Sequence, residues 1–291
     1  RFGSSYPWLP TARSLGTRGS TPLPNAMATD SADNAVYSNV KEYYGEVLKS
    51  TNDLKTSACC TLKAPHPTIT KALKQVPKEI QDKYYGCGTP LPFGIDGLTV
   101  LDLGSGSGRD CYVAAALVGE KGCVYGLDMT PNQLQVAEAH VEAYTKTLGY
   151  AKPNLQFKQG YMEFLSKAGI EPNSIDIVIS NCVINLSPNK KLVMQEVYNC
   201  LREGGELYFS DVYCSRRLPE NAVKDPVLFG ECIGGALYTE DFKRICRSVG
   251  FEDPRVLSVT PFEIYDEKLK DLVGEAQFYS ITYRCFKLPS L

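Results

Sequence analysis

Val100-Leu-Asp-Leu-Gly-Ser-Gly-Ser-Gly-Arg-Asp110 decides the fold. Its apolar start continues a β-rich run from Leu98, Gly104, Gly106 and Gly108 break that run, and a helical pattern follows from Asp110 to Val118. A strand that turns so sharply into a helix points the helix amides into a crevice, where side chains on the turn would obstruct a ligand. The third glycine comes two residues after the second, a spacing unlike the G-x-G-x-x-G of dinucleotide-binding folds.

Outward from this loop, strand and helix patterns alternate. Strands are expected at 98–103, 123–129, 155–161, 175–182, 206–212, 255–265 and 278–288, with helices at 131–148, 189–201, 239–248 and 266–274. Seven strands in that rhythm imply an α/β, Rossmann-like fold with a doubly wound, mostly parallel sheet. Upstream, apolar spacing predicts a helix over 36–48 and another over 69–85, the second ending against Gly86 and Gly88, with a loop over 49–67 that carries Cys59 and Cys60. Residues 1–34, rich in Ser, Thr, Pro and Gly, are expected to be disordered. Residues 35–97 then form a helical, cysteine-bearing extension, and 98–291 the main domain, with acceptor-binding elements in an insertion after the fifth strand, at about 213–250.

The chain has 31 basic and 33 acidic residues and a net charge of −2, so no global positive field draws it to nucleic acid or an anionic membrane. It carries no apolar run near the roughly 20 residues that span a bilayer. A soluble, monomeric, cytoplasmic protein is expected. An organelle is the alternative if residues 1–26 are a transit remnant rather than sequence upstream of Met27. The eleven cysteines, an odd number in a long βα-patterned chain, suit a reducing compartment in which some thiols are kept for chemistry.

The second strand ends in Asp128-Met129, where a carboxylate can accept from both hydroxyls of a ribose. The third runs into Gly160-Tyr-Met-Glu163, which would set Met162 against an adenine face and Glu163 near its exocyclic amine. The alternative is that the glycines only allow close helix packing and that Asp128 caps the helix after Thr130-Pro131. Tyr85 either covers a cofactor or ends a helix, and Asn181 either orients the cofactor or forms a turn. Asp102 completes the candidate cofactor set of Tyr85, Asp102, Gly104, Gly106, Gly108, Asp128, Met129, Met162, Glu163 and Asn181.

Cys182 falls at the carboxyl end of the fourth strand, on the ligand side of such a sheet, or else is a buried apolar cysteine. Cys232 lies in Phe229-Gly-Glu-Cys-Ile-Gly-Gly-Ala236 and Cys87 in Tyr84-Tyr-Gly-Cys-Gly88, both among small residues that permit close approach. Neither His66 nor His140 is placed to act as a general base. Cys111, Cys123, Cys200, Cys246 and Cys285 suit core packing, and Cys214 stays undecided.

These segments, together with Ser180-Asn-Cys-Val-Ile-Asn-Leu186 and Gly204-Gly-Glu-Leu-Tyr-Phe-Ser-Asp-Val-Tyr213, resemble the arsenite methyltransferase family over about residues 36–287. The glycine loop and later strands also resemble the wider class I S-adenosylmethionine-dependent methyltransferases. The resemblance implies the seven-stranded methyltransferase fold, S-adenosylmethionine as cofactor, and trivalent arsenic bound by Cys87, Cys182 and Cys232, with Cys59 as a fourth functional thiol that Cys60 could replace. Arsenite or its thiol conjugates would be the substrate, methylated arsenicals the products, and glutathione or thioredoxin the reductant. Thiol chemistry agrees: three thiolates hold trivalent arsenic in a pyramid whose lone pair faces the methyl group, so no base is needed. Rival readings are a sterol- or quinone-type C-methyltransferase and a non-catalytic thiol metal-binding module, the latter weakened by the lack of a Cys-x-x-Cys pair.

Overall fold

The computed structural model describes residues 31–42, 65–84 and 86–288. Strands β1 (Thr99–Leu103), β2 (Cys123–Asp128), β3 (Leu155–Gln159), β4 (Ile175–Asn181) and β5 (Leu201–Cys214) lie parallel. A two-residue strand, β6 (Leu237–Tyr238), pairs with the end of β5. After it come β7 (Arg255–Phe262) and β8 (Phe278–Phe286), and β8 is antiparallel to both its neighbours. The spatial order is β3-β2-β1-β4-β5-β8-β7, so the sheet is the expected one with β6 added.

Three helices precede β1: α1 (Ser31–Glu42), α2 (Pro67–Leu73) and α3 (Lys78–Asp82). Next, α4 (Arg109–Val118) follows β1, α5 (Pro131–Ala139) and α6 (Val141–Leu148) join β2 to β3, and α7 (Lys190–Cys200) joins β4 to β5. The insertion after β5 holds α8 (Glu220–Lys224) and α9 (Pro226–Gly230), while α10 (Thr239–Val249) and α11 (Glu267–Val273) lead to β7 and β8. Among the described residues, no helix is long and apolar enough to cross a membrane.

Helices cover both faces of the sheet, which is why β1 and β4 read as nearly continuous apolar runs rather than alternating ones. On one face Ile80, Val113 and Tyr144 pack over Val100, Val124 and Ile177; on the other, Val193, Phe242 and Phe251 pack over Leu101, Val178 and Leu207. The strand order reverses between β1 and β4, and ligands of such sheets bind where the two connections diverge. This puts the glycine loop after β1 beside Asn181-Cys182 at the end of β4.

Some elements differ from their sequence patterns. The helix expected over 69–85 is two short ones, because Pro77 has no N–H to continue the first ladder and sits at the start of α3. The helix over 131–148 breaks at His140 into α5 and α6, which lets Tyr144 reach beneath α4 and donate to the Tyr112 carbonyl at 3.0 Å. β5 starts at Leu201, ahead of 206, with Gly204 at φ 78° where its pairing to β4 shifts. The first helix starts at Ser31; residues 43–48, where the pattern continues it, and the segment 1–30 lie outside the described residues.

Candidate active site

The cleft at the β1/β4 reversal is lined by the glycine loop, the ends of β2 and β4, and α1. Asp102, Gly104, Gly106, Asp128, Met129, Met162, Glu163, Asn181 and Cys182 all border it. The structure thus brings together nearly the whole candidate cofactor set. Tyr85 and Cys59 lie outside the described residues.

Gly106 has φ 53°, and a Cβ there would meet nothing within 4 Å, so this turn is left open towards the cleft. Gly108 is different. A Cβ on it would lie 2.6 Å from the Phe157 ring and 3.3 Å from Ala137, as one on Gly104 would lie 2.2 Å from Val183, so close packing by itself requires a glycine at both positions. The Asp128 carboxylate accepts from Gly106 N and from Thr130 N, each at 2.8 Å. It therefore ties the loop to the end of β2 while bordering the cleft, and burial raises its pKa. Asp102 is held above the usual carboxylate range first by burial and then by the nearby Asp110, and it accepts from the Cys111 thiol at 3.1 Å. Glu163 is buried and accepts from the Ser187 hydroxyl, so one of its oxygens is already engaged.

Asn181 anchors the segment that carries Cys87. Its Oδ1 accepts from Gly88 N at 3.1 Å, and its Nδ2 lies within 3.0 Å of three acceptors: the Tyr84 hydroxyl, Gly88 O and Asp110 Oδ2. A Cβ on Gly88 would strike Ser210 Oγ at 2.4 Å, which explains the glycine beside Cys87. Ser280 of β8 donates to the Cys87 carbonyl at 2.8 Å. Tyr84 carries the aromatic contact to Asn181, and the Arg109 guanidinium stacks on its ring at 3.6 Å.

Residues far apart in the chain bring three cysteines together. Cys87 and Cys182 form a disulfide across 95 residues, and the Cys232 thiol donates to the Cys182 carbonyl at 2.8 Å. All three are buried in one apolar cluster beneath α1 and the insertion. The pairing differs from the expected set of three thiolates, because two sulfurs so close combine when oxidised. Cys182 (φ 56°) and Cys232 (φ 64°) are two of the three non-glycine residues with positive φ among those described. Backbone strain of this kind persists where the surroundings over-determine it, often at functional sites.

Behind these sulfurs lies a polar layer that the sequence did not single out. Asp211 is buried, accepts from Asn185 N at 3.0 Å and Val212 N at 2.8 Å, and is pushed by burial up to about 7. Lys190 donates to Ser187 O at 2.9 Å; burial lowers its pKa to about 8, opposed by the charges of Asp211, Cys232 and Glu163. The histidines are engaged elsewhere, His66 accepting from Thr68 N and His140 against Glu79, and neither borders the cleft. Cys111, Cys200, Cys246 and Cys285 are buried as expected, and Cys214, undecided from the sequence, is buried too, its thiol donating to Arg216 O at 2.8 Å, whereas Cys123 is only half-buried.

Residues 95–250 match a methyltransferase domain family. The chain is 50% identical over 256 residues to an arsenite methyltransferase of Aquipseudomonas alcaligenes, covering 88% of this chain and 73% of that one. The chain belongs to the arsenite methyltransferase family. Within that family, the mouse (Mus musculus) arsenite methyltransferase is 47% identical over 264 residues, covering 90% of this chain and 70% of its own. A crystal structure described as an arsenic(III) S-adenosylmethionine methyltransferase from Chlamydomonas reinhardtii superposes with a TM-score of 0.76 at 58% identity, covering 78% of this chain and 76% of that one. As a member of the arsenite methyltransferase family, the chain is an S-adenosylmethionine-dependent methyltransferase. The open turn at Gly106 and the acidic end of β2 fit that cofactor.

Proposed function

We propose that this enzyme methylates trivalent arsenic held by Cys87, Cys182 and Cys232. The observation that carries the reading is the convergence of these three cysteines at one end of the cofactor cleft, which only Cys182 borders. A soft trivalent centre takes three thiolates, and deprotonated sulfur is the ligand.

The disulfide must first open. Two glutathione molecules, or the dithiol of a thioredoxin-type protein, give two electrons and two protons and are oxidised to a disulfide, leaving thiols on Cys87 and Cys182. Arsenite then exchanges its three hydroxyls for three sulfurs and releases three waters. The left-handed backbones at Cys182 and Cys232 restrict where their sulfurs can lie, and the reading requires that the arsenic lone pair face the cleft. S-adenosylmethionine supplies an electrophilic methyl carbon, and Asp128, Met162 and Glu163 would hold its adenosine end. Attack by the lone pair in line with the sulfur–carbon bond needs no general base, consistent with a cleft bordered by no histidine. The transfer leaves arsenic formally pentavalent, and a thiol pair returns two electrons by closing to a disulfide. Cys87 with Cys182 is such a pair. Cys59 is proposed as the thiol that reopens it by exchange.

The test is to incubate the reduced enzyme with arsenite, a thiol reductant and methyl-labelled cofactor, and to separate the arsenic species. Labelled methylarsenicals are expected, and their absence with intact cofactor binding would remove arsenic as the acceptor.

A further inference from the structure

Asn185 lies on a short 3-10 turn (Ile184–Leu186) between β4 and α7, in the chain directly after the cofactor-facing end of β4, and it is buried with 2% exposure. Its backbone and side chain address three segments at once. Its N–H donates to Asp211 Oδ2 at 3.0 Å, and its Nδ2 donates to Val212 O at 2.6 Å and, in a longer contact, to Cys232 O at 3.4 Å. Its own carbonyl faces Gly235, where a Cβ would come within 2.0 Å of that oxygen, so the backbone after Cys232 rests directly on the turn. The loop of Cys232 is thus seated on Asn185 at the cysteine's own carbonyl and again three residues later, at Gly235.

We propose that Asn185 is a positioning residue for the acceptor, holding the Cys232 loop so that its sulfur completes a three-sulfur site with Cys87 and Cys182. This rests on the arsenic reading above and adds to it a residue that touches neither the cofactor nor arsenic. Cys232 sits at φ 64°, a conformation that a non-glycine residue keeps only when neighbours hold it, and the carbonyl of that residue is one that Asn185 engages. Asp211 fixes the platform in turn, since its two oxygens are spent on Asn185 N and Val212 N. An aliphatic side chain at 185 would leave two buried carbonyls without this donor, while the turn's backbone bonds stay in place.

Arsenite takes three thiolates, whereas phenylarsine oxide, with one arsenic–carbon bond, takes two. The two probes therefore separate the position of the third sulfur from the integrity of the site. Binding of each is measured on phosphine-reduced wild type, Asn185→Ala and Asn185→Asp, alongside S-adenosylmethionine affinity and thermal midpoint. In both variants arsenite binding is expected to weaken by about tenfold or more, with phenylarsine oxide and cofactor affinities within about twofold of wild type. Asn185→Asp, which sets a carboxylate against two carbonyls, is expected to be the weaker binder of the two. Unchanged arsenite affinity in the variants, or equal losses for both probes and the cofactor, overturns the positioning role. If wild type itself binds neither arsenical, the arsenic reading fails and this inference with it.

Discussion

The two ends of the cleft are built in opposite ways. The cofactor end is local: β1, its glycine turn and α4 follow one another without interruption, and Asp128 reaches back 22 residues to bond Gly106 N. The end proposed for the acceptor is assembled from segments separated by 95 and 50 residues, joined through Cys87, Cys182 and Cys232. A contiguous loop needs only its own backbone geometry, whereas the acceptor end needs the whole sheet to be in register before its sulfurs meet. Mutations should therefore divide into those that affect one end and leave the other intact.

The largest effect is expected at the acceptor end. Cys182→Ser and Cys232→Ser should abolish arsenite methylation while cofactor affinity, read by calorimetry, stays within about twofold of wild type, because hydroxyl oxygen is a poor ligand for a soft centre. Comparable losses of cofactor binding would mean that the two ends are not separable.

The next concerns the amine behind the sulfurs. Lys190 has its pKa lowered to about 8 from 10.5, so the folded state binds fewer protons than the unfolded state between those values, and stability contributed by this group rises with pH across that window. Relative to Lys190→Met, wild type should gain roughly 3 kcal/mol between pH 7 and pH 11 in denaturant titrations. A difference that is flat with pH would show that the amine is not held back by burial.

At the cofactor end the expected effects are smaller. Asp128→Ala frees the amides of Gly106 and Thr130 and should weaken S-adenosylmethionine binding by about tenfold to a hundredfold, with arsenite affinity unaltered. The glycines give the finest contrast. Gly108→Ala drives a methyl into Phe157 at a φ of 90° and, with overpacking and left-handed strain together, should cost about 2–5 kcal/mol of stability. Gly106→Ala meets no atom and pays only about 1–2 kcal/mol of left-handed strain, yet should weaken cofactor binding more than Gly108→Ala. Equal cofactor losses in both would give Gly108 a ligand-approach role as well.

The same division marks what could be read without coordinates. The glycine turn and Asp128 at the end of the neighbouring strand were legible because their placement depends on spacing along two adjacent strands. Which glycine yields to a side chain was not, since one that leaves room for a ligand and one that yields to Val183 or Phe157 look alike in a string of residues. Cys87, Cys182 and Cys232 were legible as candidates from the small residues around them and from a family resemblance. The positive backbone angles of Cys182 and Cys232 and the Cys87–Cys182 bond were not, because these depend on contacts across 50 to 95 residues. Asn185, Asp211 and Lys190 carried no signal of their own. Asn185 and Asp211 even stand inside quoted motifs, but a polar residue's role is set by what surrounds it once water is excluded.

By itself, then, the amino-acid sequence determined the alternation of elements, the parallel sheet and the glycine turn, because hydrophobic period and turn chemistry act over a few residues. Tertiary structure alone decided which sulfurs meet, which carboxylate is buried and which amine is half-buried beside them, and where Pro77 and His140 break their helices. These outcomes follow from burial and from distance between remote segments, quantities that exist only after the chain has folded.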